Sequence, residues 1–454
     1  MIKIIFLAIS LIYLHILILS QLQFTAWPEM FSYPYLLNHG FHLYKDIALP
    51  YQPLLPIILS QVFQVWGFSL DVLIVLTCGI IITSDLLIFF ISIKLIGQKL
   101  LSITPLLLYI LIQPFAEGSM FWFDLAVTPV LLLGVASYLF LGDLKKLFFL
   151  GFFLSLAFFV KQQIGLVFIL VGSYLLWKDR SFIRLAPFIL GSALPTLVIL
   201  CYILIQGTWS SYIFWTIEVP LIWYPKFPGY ANWPSINQIL ILLFLLSPGA
   251  ILSIRQYKIS KEFGILFSIF LGVFITSFPR FEMFRFQPAI AMYIVLIALV
   301  IARKPEKFYL VFVPSVVTGF FLFQNSLHLV GLPPRFYGGE DLKLIQSVKS
   351  VSSEDSSIYL LGVSSLAYVV SEKLPPKPWV DNYVWYMEIP GIQDMVVEGL
   401  KKQNPAKIFW QPEEVGNWFE LGVYQPKKVV EYIKTNYQKS ETINQGVEVW
   451  IKKN

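Results

Sequence analysis

Long stretches of the chain show no polar period at all. Apolar runs fall near Ile4–Leu22, Leu70–Ile96, Leu100–Phe115, Asp124–Leu141, Leu147–Val160, Ile164–Trp177, Phe182–Ile205, Ile236–Ile254, Phe263–Phe278, Pro288–Ala302 and Phe308–Leu327. A bilayer span takes about 20 apolar residues, with a range of roughly 17–25. Each run is predicted to be a membrane helix; several are short and bounded by Pro or Gly, which packing in a bundle tolerates. A further stretch, Leu54–Phe68, is apolar but carries Pro56, Gln61 and Gln64, and reads as a twelfth span or an interfacial helix. The pattern changes after Pro334. There Ser357–Leu361, Ala406–Trp410 and Val447–Lys452 read as short strands, and Gly391–Gln403 and Lys427–Gln438 as amphipathic helices.

Composition removes the alternatives to a membrane fold. Of 454 residues, 57% are hydrophobic and only 13% charged, and the mean hydropathy is +0.72. A soluble domain is about 25% charged, and single apolar cores stop growing near roughly 250–300 residues. A soluble enzyme, a disordered scaffold and a nucleic-acid reader are excluded. The opening run, Lys3 then Ile4–Ser20, is too long for the apolar core of a signal peptide, and no small-residue cleavage site follows in Gln21–Phe24, so it reads as an uncleaved first span. Cys78 and Cys201 lie inside apolar runs and read as packing residues.

Charge decides the topology. The net charge is +6, but Arg335–Asn454 holds 14 basic and 15 acidic residues, so the excess belongs to the first 334 residues, where basic loops set orientation. If Leu54–Phe68 does not cross and the N-terminus is cytoplasmic, the inner side receives Lys3, Lys94, Lys99, Lys145, Lys146, Lys178, Arg180, Arg184, Arg255, Lys258, Lys261, Arg303, Lys304 and Lys307. The outer side receives only Lys45, Lys161, Lys226, Arg280 and Arg285. Treating Leu54–Phe68 as a crossing swaps every later loop and destroys this bias. The expectation is therefore an all-α polytopic membrane protein of eleven transmembrane helices, residues 1–334, followed by an extracytoplasmic C-terminal α/β domain, residues 335–454. Outer loops 23–69 and 206–235 are long and rich in Trp, Tyr and Pro, as suits the headgroup level. The moderate length and the lack of targeting tails point to a bacterial or archaeal plasma membrane.

With sides assigned, the acids become informative. Glu29, Asp46, Asp71, Glu117, Asp124, Glu218 and Glu282 gather outside or near the outer surface, whereas Asp85 is buried in a span. In Trp27-Pro28-Glu29, Pro28 suits the first position of a helix and Glu29 its first turn. There Glu29 either complements the helix dipole or serves as a general base held at the membrane surface. Further along the loop come His39 to Asp46 and Pro50-Tyr51-Gln52-Pro53-Leu54. His39 and His42 share a helical face, but no third ligand lies nearby for zinc. In Phe278–Pro288, Arg280 and Arg285 precede a helix that Pro288 can start; its N-terminal N–H groups with the two guanidinium groups suit a lipid phosphate, and the plain reading is two arginines that anchor a span at the headgroups. Lys161 ends the fifth span and Asp124 opens the fourth; each has a plain reading, as a snorkelling lysine and an N-terminal acid. Glu29, Asp46 and Asp124 are the oxygen ligands available to a divalent cation.

These segments resemble the GT-C superfamily, polytopic glycosyltransferases that use polyprenyl-phosphate-linked sugars and include protein O-mannosyltransferases and the aminoarabinose transferases of lipid A. Glu29 falls on the second acid of an Asp-Glu pair, Tyr44-Lys45-Asp46 on an aromatic-x-Asp, and Pro50–Leu54, with Gln52, on a Pro-rich turn. Pro28 stands where the family usually has the first acid. Glu282 and Arg285 keep a Glu-x-x-Arg spacing followed by Phe286, without the His-Lys pair of several branches; Lys161-Gln162 and Asp124 also match. The resemblance implies catalytic roles for Glu29 and Asp46, donor-phosphate binding by Arg280, Arg285 and Lys161, and support from Asp124, Glu282, Tyr44 and Gln52. It implies a polyprenyl-phosphate-linked sugar donor and a lipid, glycan or protein acceptor at the outer face, with a divalent cation left open. A lipid-linked substrate transporter or flippase, and a non-catalytic membrane assembly protein of the same fold, are the competing readings. No Walker-type loop, Gly-x-Ser-x-Gly elbow or His-Glu-x-x-His motif occurs.

Overall fold

The structure, a computed structural model, describes residues 2–97, 99–257, 260–381, 384–412 and 425–453. Lys258, counted above among the inner cations, lies outside them. Every apolar run contains a helix: Ile2–Gln21, Leu70–Ile96, Thr104–Ile112, Phe123–Phe140, Asp143–Val160, Gly165–Asp179, Phe182–Ile205, Ile236–Tyr257, Lys261–Ile275, Gln287–Arg303 and Tyr309–Ser326. Six helical stretches are long and apolar enough to cross a membrane by length and composition, among the described residues: Ile2–Gln21, Leu70–Ile96, Phe123–Phe140, Phe182–Ile205, Met283–Arg303 and Pro305–Leu329. The chain divides into two compact units.

The first unit comprises Met1–Thr25, Leu73–Cys201 and Asn232–Pro333 and is built almost wholly of these helices. Its centre is Gln287–Arg303, in which every residue from Gln287 to Ile301 is buried. A helix apolar all round finds its place in the middle of a bundle, and this one packs against Thr104–Ile112, Phe123–Phe140, Ile236–Tyr257 and Lys261–Ile275. Helices Asp143–Val160 and Phe182–Ile205 approach closely through glycine. A Cβ on Gly151 would collide with the Phe188 carbonyl, and one on Gly191 with the Phe148 carbonyl. Small residues at such crossings let helices pack where water supplies no hydrophobic drive. The outward faces stay apolar, with Phe90, Leu190, Leu197 and Phe320 all exposed, as a bilayer solvent demands and water does not.

The second unit comprises Ala26–Val72, Tyr202–Ala231 and Pro334–Asn454. Helix Glu29–Asn38 is almost entirely buried. Phe31 stacks on Phe63 of helix Leu54–Trp66 at 5.4 Å, and Asn38 and Ser60 exchange hydrogen bonds: Asn38 Nδ2 donates to the Ser60 carbonyl (3.1 Å) and Ser60 Oγ to Asn38 Oδ1 (2.8 Å). Strands Ile358–Leu361, Lys407–Trp410, Glu448–Lys452 and Tyr437–Thr442 form one sheet in that spatial order. The first pair is parallel and the other two antiparallel.

Two sequence expectations change here. The helix expected over Lys427–Gln438 ends at Asn436, and Tyr437–Thr442 is a strand instead. It lies at the sheet edge with only Tyr437 buried, so it has no apolar alternation to betray it. The region read as loop 206–235 is largely helical: Trp209–Ile213 runs into a wide-register helix over Phe214–Trp223 and a short turn over Tyr224–Lys226. Pro220 within it breaks the periodic pattern, because proline has no N–H to give an ordinary helix.

Candidate functional site

The cation cluster belongs to the first unit. Helix Lys261–Ile275 stops before Phe278, and Pro288 supplies the restart near the head of Gln287–Arg303. Between them Phe281 packs on Phe286 (5.1 Å) and Phe278 on Phe281 (6.2 Å), so the aromatic positions of the segment form its apolar anchor. The anchor leaves Arg280, Glu282 and Arg285 to one another. Arg280 Nε donates to Glu282 Oε1 and Arg285 Nε to Glu282 Oε2, both at 3.0 Å. Each oxygen of one carboxylate thus fixes the plane of one guanidinium. The turn is tied further by Phe281 N–H to the Asn232 carbonyl (2.6 Å), Ser277 Oγ to the Arg285 carbonyl (3.1 Å) and Phe284 N–H to Glu117 Oε2 (3.1 Å).

Lys161 ends helix Asp143–Val160 and pairs with Asp124, in the first turn of Phe123–Phe140; both are buried. Lys161 lies within electrostatic reach of Arg285 and Glu282. The structure therefore brings together Lys161, Asp124, Arg280, Glu282 and Arg285, and joins to them Glu117, another of the outer acids.

The loop carboxylates belong to the second unit. Pro28, at φ −53°, caps helix Glu29–Asn38, and Glu29 sits in its first turn, 3% exposed. One turn on, Tyr33 is fully buried beside Glu29 and Asp381. Burial, reinforced by those two negative charges, holds the Tyr33 phenol well above its ordinary range, so it stays a hydrogen-bond donor. Tyr51 and Tyr224 lie in the same group. Asp381 was missed by the sequence reading, since nothing in Pro378-Trp379-Val380-Asp381 marks it.

Asp46 is engaged differently. Its Oδ2 accepts from the His42 backbone N–H (3.0 Å), stands 3.1 Å from His42 Nδ1 and 3.3 Å from Lys377 Nζ. Burial alone would raise this carboxyl, but the His42 hydrogen bonds and the Lys377 charge outweigh it and hold Asp46 below the usual carboxylate range. Its main chain continues the tie, with the Trp379 N–H donating to the Asp46 carbonyl (2.8 Å) and Ala48 N–H to the Trp379 carbonyl (3.0 Å). Tyr44 Oη donates to the Tyr51 carbonyl (2.9 Å), and Tyr212 Oη to Gln52 Oε1 (3.0 Å), so both supporting residues organise the loop. His39 Nδ1 lies 2.8 Å from the Tyr35 carbonyl. Among the described residues no three His, Cys, Asp or Glu side chains are grouped to hold a metal ion; Asp124 is held by Lys161, and Asp46 by His42 and Lys377.

No protein-family model matches the chain, and no curated protein sequence does. Solved structures do. ArnT from Cupriavidus metallidurans bound to undecaprenyl phosphate superposes with a TM-score of 0.59 at 10% identity, covering 99% of this chain and 97% of that one. Its apo state gives 0.57 at 9% identity with the same coverage. The Archaeoglobus fulgidus oligosaccharyltransferase, solved in complex with zinc and sulfate, gives 0.53 at 10% identity, covering 97% of this chain and 73% of that one. The chain shares the fold of these structures. The match to ArnT runs over almost the full length of both chains. The chain is a multi-pass membrane protein.

Proposed function

We propose that this protein is a membrane glycosyltransferase that moves a sugar from a polyprenyl-phosphate-linked donor to an acceptor at the outer face of the cell membrane. The observation that carries the reading is the clasp of Arg280 and Arg285 on Glu282, beside the buried Lys161. It occurs in a fold that ArnT uses and in which ArnT has been solved with undecaprenyl phosphate. Oriented guanidinium groups among apolar helices suit a lipid phosphate, which brings its own anchor into the bilayer.

In this mechanism Arg280, Arg285 and Lys161 hold the donor phosphate. Glu29 takes the proton of the acceptor hydroxyl or amide as that group attacks the anomeric carbon. The bond from the anomeric carbon to the phosphate oxygen breaks, and its electron pair leaves with the polyprenyl phosphate. The configuration at the sugar inverts. Neutralising the departing phosphate supplies much of the acceleration. Glu29 shares its surroundings with the buried Tyr33 phenol and Asp381, and Asp46 acts through the loop that it ties to Lys377. The acceptor class is a lipid, glycan or protein.

The test is transfer itself. Purified full-length protein in lipid nanodiscs is incubated with radiolabelled polyprenyl-phosphate sugars and an envelope extract as acceptor source. Label passing to a new acceptor, with release of free polyprenyl phosphate, is expected. Label that stays on intact donor in nanodiscs, but crosses the bilayer when the protein is reconstituted in sealed vesicles, would instead identify a transporter.

The accompanying topology is eleven crossings, with the N-terminus inside and residues 335–454 outside. Single cysteines, placed in a chain from which Cys78 and Cys201 have been removed, check it. Cysteines at 145 and 304 are expected to react with an impermeant maleimide only after permeabilisation, and those at 230 and 350 in intact cells. The reverse labelling would overturn the orientation.

A further inference from the structure

The helical bundle buries a polar network that the sugar-transfer chemistry does not use. His15, Asp85 and Gln113 come from three apolar helical segments, and each is fully buried. His15 Nδ1 lies 2.8 Å from Asp85 Oδ2, and His15 Nε2 lies 2.8 Å from Gln113 Oε1. Ionisable groups at such depth are costly and are kept only where something requires them.

The orientation of Gln113 fixes where the protons are. Its Nε2 donates to the Gly118 carbonyl at 3.2 Å, so its Oε1 must face His15. His15 Nε2 therefore carries a hydrogen. One further proton is shared between His15 Nδ1 and Asp85 Oδ2, and the pair is neutral overall whichever atom holds it. This neutrality lets the pair sit in the bundle.

The network leads to the Pro114–Gly118 turn. Within it Glu117 has φ +55°, a left-handed conformation that a residue with a side chain holds only when its surroundings enforce it. Three side chains do so by capping carbonyls on either side of it: Ser326 Oγ on Phe115 (3.2 Å), Gln287 Nε2 on Ala116 (2.7 Å) and Gln113 Nε2 on Gly118 (3.2 Å). Gly118 itself must be glycine, because a Cβ there would stand 2.6 Å from Gln113 Oε1 and collide with the Gln113 carbonyl. The strained turn delivers Glu117 to the Phe284 N–H, immediately before Arg285.

We propose that His15, Asp85 and Gln113 are positioning residues for the donor-phosphate site, holding the Pro114–Gly118 turn so that Glu117 sets the backbone that carries Arg285. This rests on the glycosyltransferase reading above. His15 locks the Gln113 amide in the one orientation that lets it clamp Gly118, and Asp85 locks His15. What the network needs at Nδ1 is a partner rather than a charge: an asparagine amide can donate to the neutral imidazole, which keeps its Nε2 hydrogen on Gln113.

The test measures affinity for undecaprenyl phosphate by tryptophan quenching on full-length protein in nanodiscs, with the ligand-free melting temperature followed in parallel. Gln113→Met keeps the side-chain length and deletes both bonds; His15→Phe and Asp85→Leu remove the locks. Each is expected to weaken binding about tenfold, the scale set by leaving buried polar groups unmatched. Asp85→Asn is expected to recover the affinity that Asp85→Leu loses. If His15→Phe does not fold, Gln113→Met and the two Asp85 variants decide the matter. Wild-type affinity in Gln113→Met, or equal loss in Asp85→Asn and Asp85→Leu, overturns the positioning role. Absence of saturable wild-type binding that Arg285→Ala abolishes removes the donor-site reading itself, and this inference with it.

Discussion

Glu29→Gln is expected to lower sugar transfer by about 10²–10⁴-fold, the contribution of a positioned general base, while the affinity for polyprenyl phosphate stays at the wild-type value. The size of the effect separates two roles for this carboxylate. As a first-turn acid it complements the helix dipole, worth about 0.3–1 kcal/mol. That role predicts a small fall in melting temperature and no change in turnover. The isosteric amide keeps the packing of a side chain that is 3% exposed, so misfolding does not confuse the comparison. Single-turnover transfer by wild type and variant, at saturating donor, is the measurement. Equal rates would remove Glu29 as the base. Asp46→Asn serves as the contrast: its carboxylate is held by His42 and Lys377, and a smaller loss is expected.

The membrane helices were legible because lipid leaves the chain no choice. Every apolar run contains a helix, since a backbone in hydrocarbon must satisfy its own hydrogen bonds. Where water returns, legibility falls. The Trp- and Tyr-rich stretch over 206–235 read as loop, but its aromatic residues fold into a wide-register helix around Pro220. Strand Tyr437–Thr442 was hidden because an edge position buries one side of one residue only.

The candidate site was legible as a set of exceptions, namely acids and arginines that break an otherwise simple charge distribution. What the sequence could not convey was pairing. Asp46 and Lys377 are 331 residues apart and Lys161 and Asp124 are 37 apart, with no local pattern to join them. His15 lies inside the first span and Asp85 inside the second, 70 residues apart, with no local pattern that pairs them. An isolated acid in one apolar run and an isolated histidine in another were the available signal, because each alone costs too much to be kept unpaired.

Pairing also changes what a substitution at Lys161 means. Lys161 and Asp124 are both buried and in direct contact, so removing either leaves an uncompensated charge. Asp124→Leu and Lys161→Met are each expected to cost about 3–5 kcal/mol of stability. The double variant, in which two apolar side chains replace the pair, is expected to return close to the wild-type melting temperature. Loss of activity in either single variant therefore says nothing about phosphate binding, because instability alone produces it. The double variant separates the two effects. If Lys161 also contacts the donor phosphate, the stable double variant still binds polyprenyl phosphate about tenfold more weakly, the scale of a lost charge-assisted hydrogen bond. If the lysine serves Asp124 alone, stability and affinity recover together, and the phosphate is left to Arg280 and Arg285. Melting curves and undecaprenyl phosphate titrations on the four members of this cycle distinguish the outcomes. The expected result is recovered stability with weakened binding, since the charges of Arg285 and Glu282 act on Lys161 from the same cluster.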